Sequence, residues 1–331
     1  MIRAKILGVG RYLPEKRVTN SDLAKMFNTS DEWIRQRTGI VERRFAEEGV
    51  YCSDIALEAS REALKNAGMK AGDLDFIIFA TLSPDHHMPG SGCYLQAKMG
   101  LTEIGCLDIR NQCSGFLYSL AVADAFVRMG MYKRILVVGA EIHSSGLSFT
   151  DEGRDVAVIF GDGAGAVIVG PSDDPSRGIL STHLHADGRY ADMLKLEMFD
   201  ISQKPYLTHQ TIDEGRIWPK MQGKEVFKMA VTKIPEVVEE ALQANGLKIG
   251  DVDLFLPHQA NLRINQFAAA RLEVPEEKFY SNIQRYGNTT AASIPIALSE
   301  VLEQGALKEG DVMVMVAFGS GFTWGASVIR W

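Results

Sequence analysis

Apolar residues along this chain fall into two alternating patterns. Short unbroken runs such as DFIIFA (75–80), IGCLDI (104–109), RILVVGA (134–140), DLFL (253–256) and VMVMVAF (312–318) read as strands buried within a sheet. Longer stretches are helical: the segment 114–129 is rich in Ala, Leu, Val and Phe and closes at Gly130, a helix stop. Strand and helix patterns that alternate in this way predict an α/β protein, with mostly parallel sheets flanked by helices.

The pattern occurs twice. ALKNAGMKAGDLDF (63–76) and ALQANGLKIGDVDL (241–254) match at seven of fourteen positions with an offset of 178, and the same offset pairs RILVVGA with VMVMVAF. Each copy reads as a helix end, a Gly-bearing stop, then Asp-x-Asp leading into a buried strand. Two matches in register predict two similar halves, 1–172 and 173–331, with a seam near GPSDDPSRG (170–178), which is rich in turn formers.

Candidate chemistry lies at the strand ends. In RNQCSGFLYSL (110–120), Cys113 falls where a strand turns into a helix. The free N–H groups and dipole of a helix start favour a thiolate, so Cys113 reads as a nucleophile with a lowered pKa. A small hydrophobe beside a turn is the alternative that local sequence leaves open. After the strand DLFL comes PHQANLRI, which places His258 on the rim where open α/β sheets carry their sites. YGNTTAASIPIALSEVL brings Asn288 to a turn, with Thr289 or Thr290 as N-cap of the next helix. FGSGFTWG (318–325) has the glycines that allow backbone N–H groups to approach a ligand.

Composition narrows the picture. The 331 residues are 46% hydrophobic and 23% charged, which suits a soluble enzyme, and a net charge of −7 argues against a nucleic-acid binder. Four cysteines without a CxxC pair argue against both a disulfide framework and a zinc site; Cys52, Cys93 and Cys106 read as inert buried thiols. The N-terminal MIRAKILGVGRYLP reads as strand and turn rather than a signal peptide, and no run approaches a membrane span, so a cytoplasmic location is expected. His183 and His185 alternate on one strand face, and a metal role there is not favoured. GDGAGA is no phosphate loop, lacking a following Lys-Ser/Thr, and reads as close strand packing.

Taken together, QCSGF around Cys113, PHQANLRI around His258, GNTTAASIP around Asn288 and the closing FGSGFTWG resemble the β-ketoacyl-acyl carrier protein synthase III family of thiolase-fold condensing enzymes. TSDEWIRQRTGI (29–40), FGDGAGAVIV (160–169), LHADG (184–188) and MQGKEVFK (221–228) extend the resemblance nearly end to end. It implies a thiolase-like fold of two duplicated halves in α-β-α-β-α layers, and a homodimer. It also implies an acyltransferase that needs no cofactor and no metal: Cys113 takes an acyl group from acyl-CoA, and a decarboxylating Claisen condensation with malonyl-acyl carrier protein follows.

By the same resemblance, His258 and Asn288 are catalytic donors, and the backbone N–H groups of Cys113 and Ser320 form an oxyanion hole. Thr29, Trp33, Arg37, Arg154, Gly223, Phe227 and Asn261 would bind CoA, with Trp33 and Arg154 sandwiching the adenine and Asn261 supporting the His258 loop. Met88 and Phe318 would line the acyl pocket, with Met88 at the position where a dimer partner closes it, and Lys228, Arg263 and Arg271 would dock the acidic carrier. Lys220, Lys224 and Lys228 form one stripe if that stretch is helical, or else a solvated face.

Asn111, Gln112, Ser320 and the longer 199–218 stretch depart from the family pattern, which leaves the starter unit open. A ketosynthase III-like enzyme of secondary metabolism, using another acyl acceptor, is the alternative. A papain-like protease shares the Cys-His-Asn order but lacks its signature here. A thiolase would need a second cysteine where Ser320 stands, and a silent acyl-carrier scaffold would leave Cys113 unacylated.

Overall fold

The computed structural model describes residues 2–331. Strands β1 (Ala4–Tyr12), β2 (Phe76–Ala80), β3 (Gly105–Ile109), β4 (Ile135–Glu141) and β5 (Gly163–Pro171) form one sheet, in the order β1-β5-β4-β2-β3. Strands β6 (Gly178–Ala186), β7 (Leu254–Pro257), β8 (Val312–Gly319) and β9 (Thr323–Arg330) form a second, in the order β7-β8-β9-β6. The second order repeats β2-β4-β5-β1 of the first. Where β3 flanks β2, an isolated bridge of Phe279 to Phe255 flanks β7.

The sheets are mixed rather than mostly parallel. β2 runs parallel to β3 and β4, and β7 parallel to β8, but β5 and β9 are antiparallel to both of their neighbours. The cause is plain for β9: a short turn after Gly319 sends the chain straight back along β8, so no crossover helix intervenes.

The main helices are α1 (Asp31–Thr38), α2 (Cys52–Asn66), α3 (Ser91–Lys98), α4 (Gly115–Arg128), α5 (Gly223–Ala244), α6 (Leu262–Arg271) and α7 (Ser293–Glu303). α4 and α7 lie between the sheets: Phe116, Leu120, Ile294 and Leu298 share one core with Ile78 and Val137 of the first sheet and Leu256 and Met315 of the second. α2 covers the outer face of the first sheet, with Ile55 and Ala59 against Leu136 and Val138. α5 and α6 cover the second, with Val238 and Ala268 against Phe255 and Val314. The layers are therefore α-β-α-β-α.

Successive residues of β4 serve opposite faces, Ile135 and Val137 inward, Leu136 and Val138 outward. Both faces are covered, which is why the sequence shows an unbroken apolar run rather than alternation. Burying each such side chain contributes about 1.5–3 kcal/mol. β3 is the exception. It is the sheet edge, Gly105 and Asp108 are exposed, and IGCLDI is not the buried strand its apolar run suggests.

Two local expectations also change. The α7 N-cap is Ala292, which makes no side-chain cap; Thr290 belongs instead to a 3-10 turn, Thr290–Ala292. Lys220 pairs in a two-residue strand before α5 begins, so only Lys224 and Lys228 of that stripe are helical.

Candidate active site

Four chain segments meet at the C-terminal ends of the parallel strands. A 3-10 turn, Gln112–Ser114, leads from β3 into α4 and buries Cys113. The β8–β9 turn lies against it: a Cβ added to Gly319 would stand 2.7 Å from the Cys113 Cβ and 3.1 Å from its backbone N, so no side chain fits there. Ser114 Oγ, 2.7 Å from Thr323 Oγ1, ties the same two segments together. The backbone N–H groups of Cys113 and Ser320 both face the Cys113 sulfur.

The electrostatics correct the reading of the nucleophile. Burial, reinforced by the negative charge of Glu141, pushes the Cys113 thiol up to about 12, and the two backbone donors offset only part of this. The helix start supplies the N–H groups, but the sulfur is too dry for them to give a resting thiolate.

His258 follows β7, and its backbone N–H donates to Val316 O at 2.7 Å, which anchors it to β8. Its Nδ1 lies 2.6 Å from Ser293 Oγ, and that hydroxyl also accepts the Gln259 N–H at 3.4 Å. The Ser293 hydroxyl keeps its proton free to donate to Nδ1, and in the tautomer that this donation selects the ring proton sits on Nε2. Nε2 is buried and unpartnered. Burial, with a contribution from nearby His143, holds His258 down to about 3, so the ring is neutral.

Asn288 is buried in the turn before α7. Its Oδ1 accepts the Thr290 N–H at 2.8 Å, which leaves the Nδ2 group as its donor. Its backbone bonds to Ile159 O and Gly161 N. Just behind, Glu141 ends β4 fully buried, accepting from Ser83 Oγ at 2.7 Å, Thr81 Oγ1, the N–H groups of Leu82 and Ser83, and that of Ala291. Desolvation outweighs these donors and raises its carboxyl to about 7. Cys113, His258 and Asn288 therefore offer one buried thiol, one neutral imidazole with an unpartnered Nε2, and one amide donor.

The residues expected to meet CoA form an outer cluster. The guanidinium groups of Arg37 and Arg154 both lie over the Trp33 ring, 4.3 and 4.5 Å from its centroid. Thr29 Oγ1 is buried without a partner. Asn261 caps α6 through the Arg263 N–H and donates to Arg37 O at 2.9 Å, so it ties α6 to α1. Gly223 opens α5, and Phe227, one turn on, packs edge-on against Phe267 with the Arg263 guanidinium 5.6 Å away. Lys228 and Arg271 are exposed on α5 and α6.

Phe318 is buried against Phe322 and Trp324, while Met88 is 77% exposed. Near it His87 packs on Phe199, and the 199–218 stretch exposes Ile201, Tyr206, Leu207 and Ile212 around a short helix, His209–Asp213. His183 and His185 share Glu240, at 3.1 and 2.7 Å. Cys93 is exposed and Cys106 only half-buried, contrary to the expectation of inert buried thiols. Sequence reasoning missed Ser293, Glu141 and His143. Ser293 stands inside the GNTTAASIP motif, and the other two lie at the end of β4, the same rim that drew attention to His258.

The comparisons agree along the whole chain. The model of the 3-oxoacyl-[acyl-carrier-protein] synthase III family matches residues 107–188, and that of its C-terminal part matches residues 242–331. The β-ketoacyl-[acyl-carrier-protein] synthase III of Geobacillus kaustophilus is 48% identical over 328 residues, 99% of each chain. The crystal structure of the Aquifex aeolicus 3-oxoacyl-[acyl-carrier-protein] synthase III is similar with a TM-score of 0.91 at 43% identity, covering 99% of this chain and 100% of that one. The priming β-ketosynthase of the R1128 polyketide pathway gives 0.90 at 33%, covering 99% and 96%. With a buried Cys, His and Asn at its strand ends and full-length relatives of this similarity, the chain belongs to the β-ketoacyl-[acyl-carrier-protein] synthase III family.

Proposed function

We propose that the protein condenses an acyl-CoA starter with malonyl-acyl carrier protein, losing carbon dioxide, to give a 3-oxoacyl-carrier product in acyl-chain biosynthesis. The observation that carries this reading is the pair of neutral donors, His258 Nε2 and Asn288 Nδ2, beside a buried cysteine. Neutral donors in a dry site stabilise an oxyanion without first binding it as a salt.

The Cys113 sulfur attacks the acyl-CoA carbonyl; a carbon–sulfur bond forms, the bond to CoA breaks, and the thiol proton leaves with the CoA sulfur. The N–H groups of Cys113 and Ser320 hold the oxyanion of each tetrahedral intermediate. The malonyl thioester then binds with its carbonyl oxygen on His258 and Asn288. Loss of carbon dioxide leaves an electron pair as an enolate on that oxygen. The enolate carbon attacks the acyl-Cys113 carbonyl, the carbon–Sγ bond breaks, and the departing thiolate takes a proton from water to restore the resting thiol. A thiol raised by burial means that the sulfur is deprotonated only as it reacts.

The halves 1–172 and 173–331 divide these tasks, nucleophile in the first and donors in the second. CoA lies along Trp33, Arg37, Arg154, Thr29, Asn261, Gly223 and Phe227. Lys228, Arg263 and Arg271 receive the acidic carrier despite the net charge of −7. The outer edge of β3 supports a homodimer, since a second copy covers the edge of a half-apolar strand that is paired only with β2 among the described residues. Among the described residues no helix is long and apolar enough to cross a membrane.

Intact-protein mass spectrometry tests the reading. The acyl mass should appear on Cys113 after incubation with acyl-CoA, and disappear as malonyl-carrier is added and a 3-oxoacyl-carrier forms. An acyl group that malonyl-carrier cannot discharge would overturn it.

A further inference from the structure

Glu141, the last residue of β4, and His143 just beyond it reach the same turn, the one that carries Asn288. His143 is buried, and its Nε2 stands 2.7 Å from Thr290 Oγ1. One ring contact and one backbone bond hold the residue. Its ring face packs on Phe160 with centroids 4.6 Å apart, and its backbone N–H donates to Asp162 Oδ1 at 2.7 Å. Phe160 in turn bridges to Asn288 through the backbone.

Thr290 is the link to the amide. Its N–H is what Asn288 Oδ1 accepts, and its backbone is left-handed, with φ at 47°. A β-branched residue is costly there and persists only where its surroundings hold it. Among the described residues, His143 Nε2 is the one hydrogen-bond partner of the Thr290 side chain. Glu141 takes the N–H of Ala291, the next residue. Two side chains from one strand end thus hold two consecutive residues of the Asn288 turn.

We infer that His143 is a positioning residue for the decarboxylation step, holding Thr290 in its left-handed conformation so that the Asn288 amide presents Nδ2 to the malonyl oxygen. The inference rests on the donor role given to Asn288 above. Burial keeps His143 at about 3, so it does this work as a neutral ring and adds no positive charge beside His258.

The test separates the two half-reactions in the full-length enzyme. His143→Leu should acylate Cys113 at a rate within about twofold of wild type, while kcat for malonyl-carrier decarboxylation falls about tenfold, the size of one lost hydrogen bond, with KM unchanged. His143→Gln, which can still reach a hydroxyl, should recover part of the loss. In a Thr290→Val background, His143→Leu should cost nothing further, because the two act through one contact.

Equal loss of both half-reactions alongside a lowered Tm would reduce His143 to a structural residue. Unchanged decarboxylation, or full additivity with Thr290→Val, would also overturn the inference. Should His143→Leu not fold, His143→Gln and Thr290→Val decide by the same readouts. A wild-type enzyme that acylates but never decarboxylates would instead sink the functional reading, and this inference with it.

Discussion

Gln112 and Thr290 stand 178 residues apart and share one backbone conformation, with φ of 46° and 47°. Each opens a 3-10 turn, Gln112–Ser114 and Thr290–Ala292, and each turn feeds an inter-sheet helix, at Gly115 and Ser293. The two copies of the fold therefore keep the same strained corner at equivalent places. One copy uses it to present Cys113, and the other puts Ala291 at that point and presents Asn288 two residues before the corner. Left-handed non-glycine residues cost about 1–3 kcal/mol, so the strain belongs to the presentation of the site.

That argument makes Gln112→Gly informative. Glycine takes a positive φ freely, so the variant should be as stable as wild type or gain up to about 1 kcal/mol. Cys113 acylation should slow, because a flexible corner no longer fixes the sulfur. A lowered Tm with unchanged acylation would show that the corner is not under strain.

The donor roles predict a clean division of labour. His258→Ala and Asn288→Ala should retain self-acylation and lose about 10²- to 10³-fold in decarboxylation, the range for removing one oxyanion donor. Cys113→Ala should abolish acylation altogether. Mass spectrometry of the acyl-enzyme and release of labelled carbon dioxide from malonyl-carrier measure the two steps; loss of acylation in the His or Asn variant would contradict the assignment.

Much of this was legible in the chain. The segments matched at an offset of 178 fall on equivalent strands of two sheets that share one strand order, and the motifs at 112–116, 257–264 and 287–295 lie at one strand rim. What could not be read depends on contacts distant in sequence. The Cys113 thiol is raised by burial and by Glu141, neither visible in RNQCSGFLYSL, so local reasoning from a helix start gave the wrong direction. His143 meets Thr290 across 147 residues, and no periodicity encodes that. IGCLDI has the composition of an interior strand, yet among the described residues it pairs on one side only, and only the sheet order reveals it.

Ionisation of the buried groups should be visible in stability. The folded state keeps the Glu141 proton up to about pH 7, whereas the unfolded chain releases it near 4.5, so Glu141 costs stability as pH rises through that window. His143 and His258 act on the acid side. Held near 3 rather than 6.5, they contribute stability above pH 6.5 that is lost as pH falls toward 3, because the unfolded chain takes up protons that the fold refuses. Denaturant unfolding at pH 5 and pH 8 should show wild type losing stability relative to Glu141→Gln on going to pH 8. Parallel behaviour of the two proteins would show that the carboxyl is not raised.

The raised Cys113 thiol makes a kinetic prediction for the free enzyme. Alkylation by iodoacetamide should accelerate about tenfold per pH unit from 7 to 9 with no plateau, since the thiolate fraction grows throughout that range. A plateau near pH 7 would mean that the N–H groups of Cys113 and Ser320 overcome burial after all.

Gly319 supplies the sharpest steric test. A Cβ there would meet the Cys113 Cβ at 2.7 Å and its backbone N at 3.1 Å, and neither can yield as the end of a flexible side chain would. The φ of Gly319 is not in the left-handed region, so Gly319→Ala adds no backbone strain of its own and its cost is the clash alone. Relief requires the β8–β9 turn to separate from the Cys113 turn, which moves the Ser320 N–H away from the sulfur. Acylation should therefore fall by about tenfold or more, with the loss in kcat, since a misplacement near 1 Å is enough to spoil a reacting geometry. Decarboxylation, which uses His258 and Asn288, should suffer less. A Gly319→Ala enzyme with wild-type acylation would show that the two turns are free to part, and that the Ser320 N–H contributes nothing to the first half-reaction.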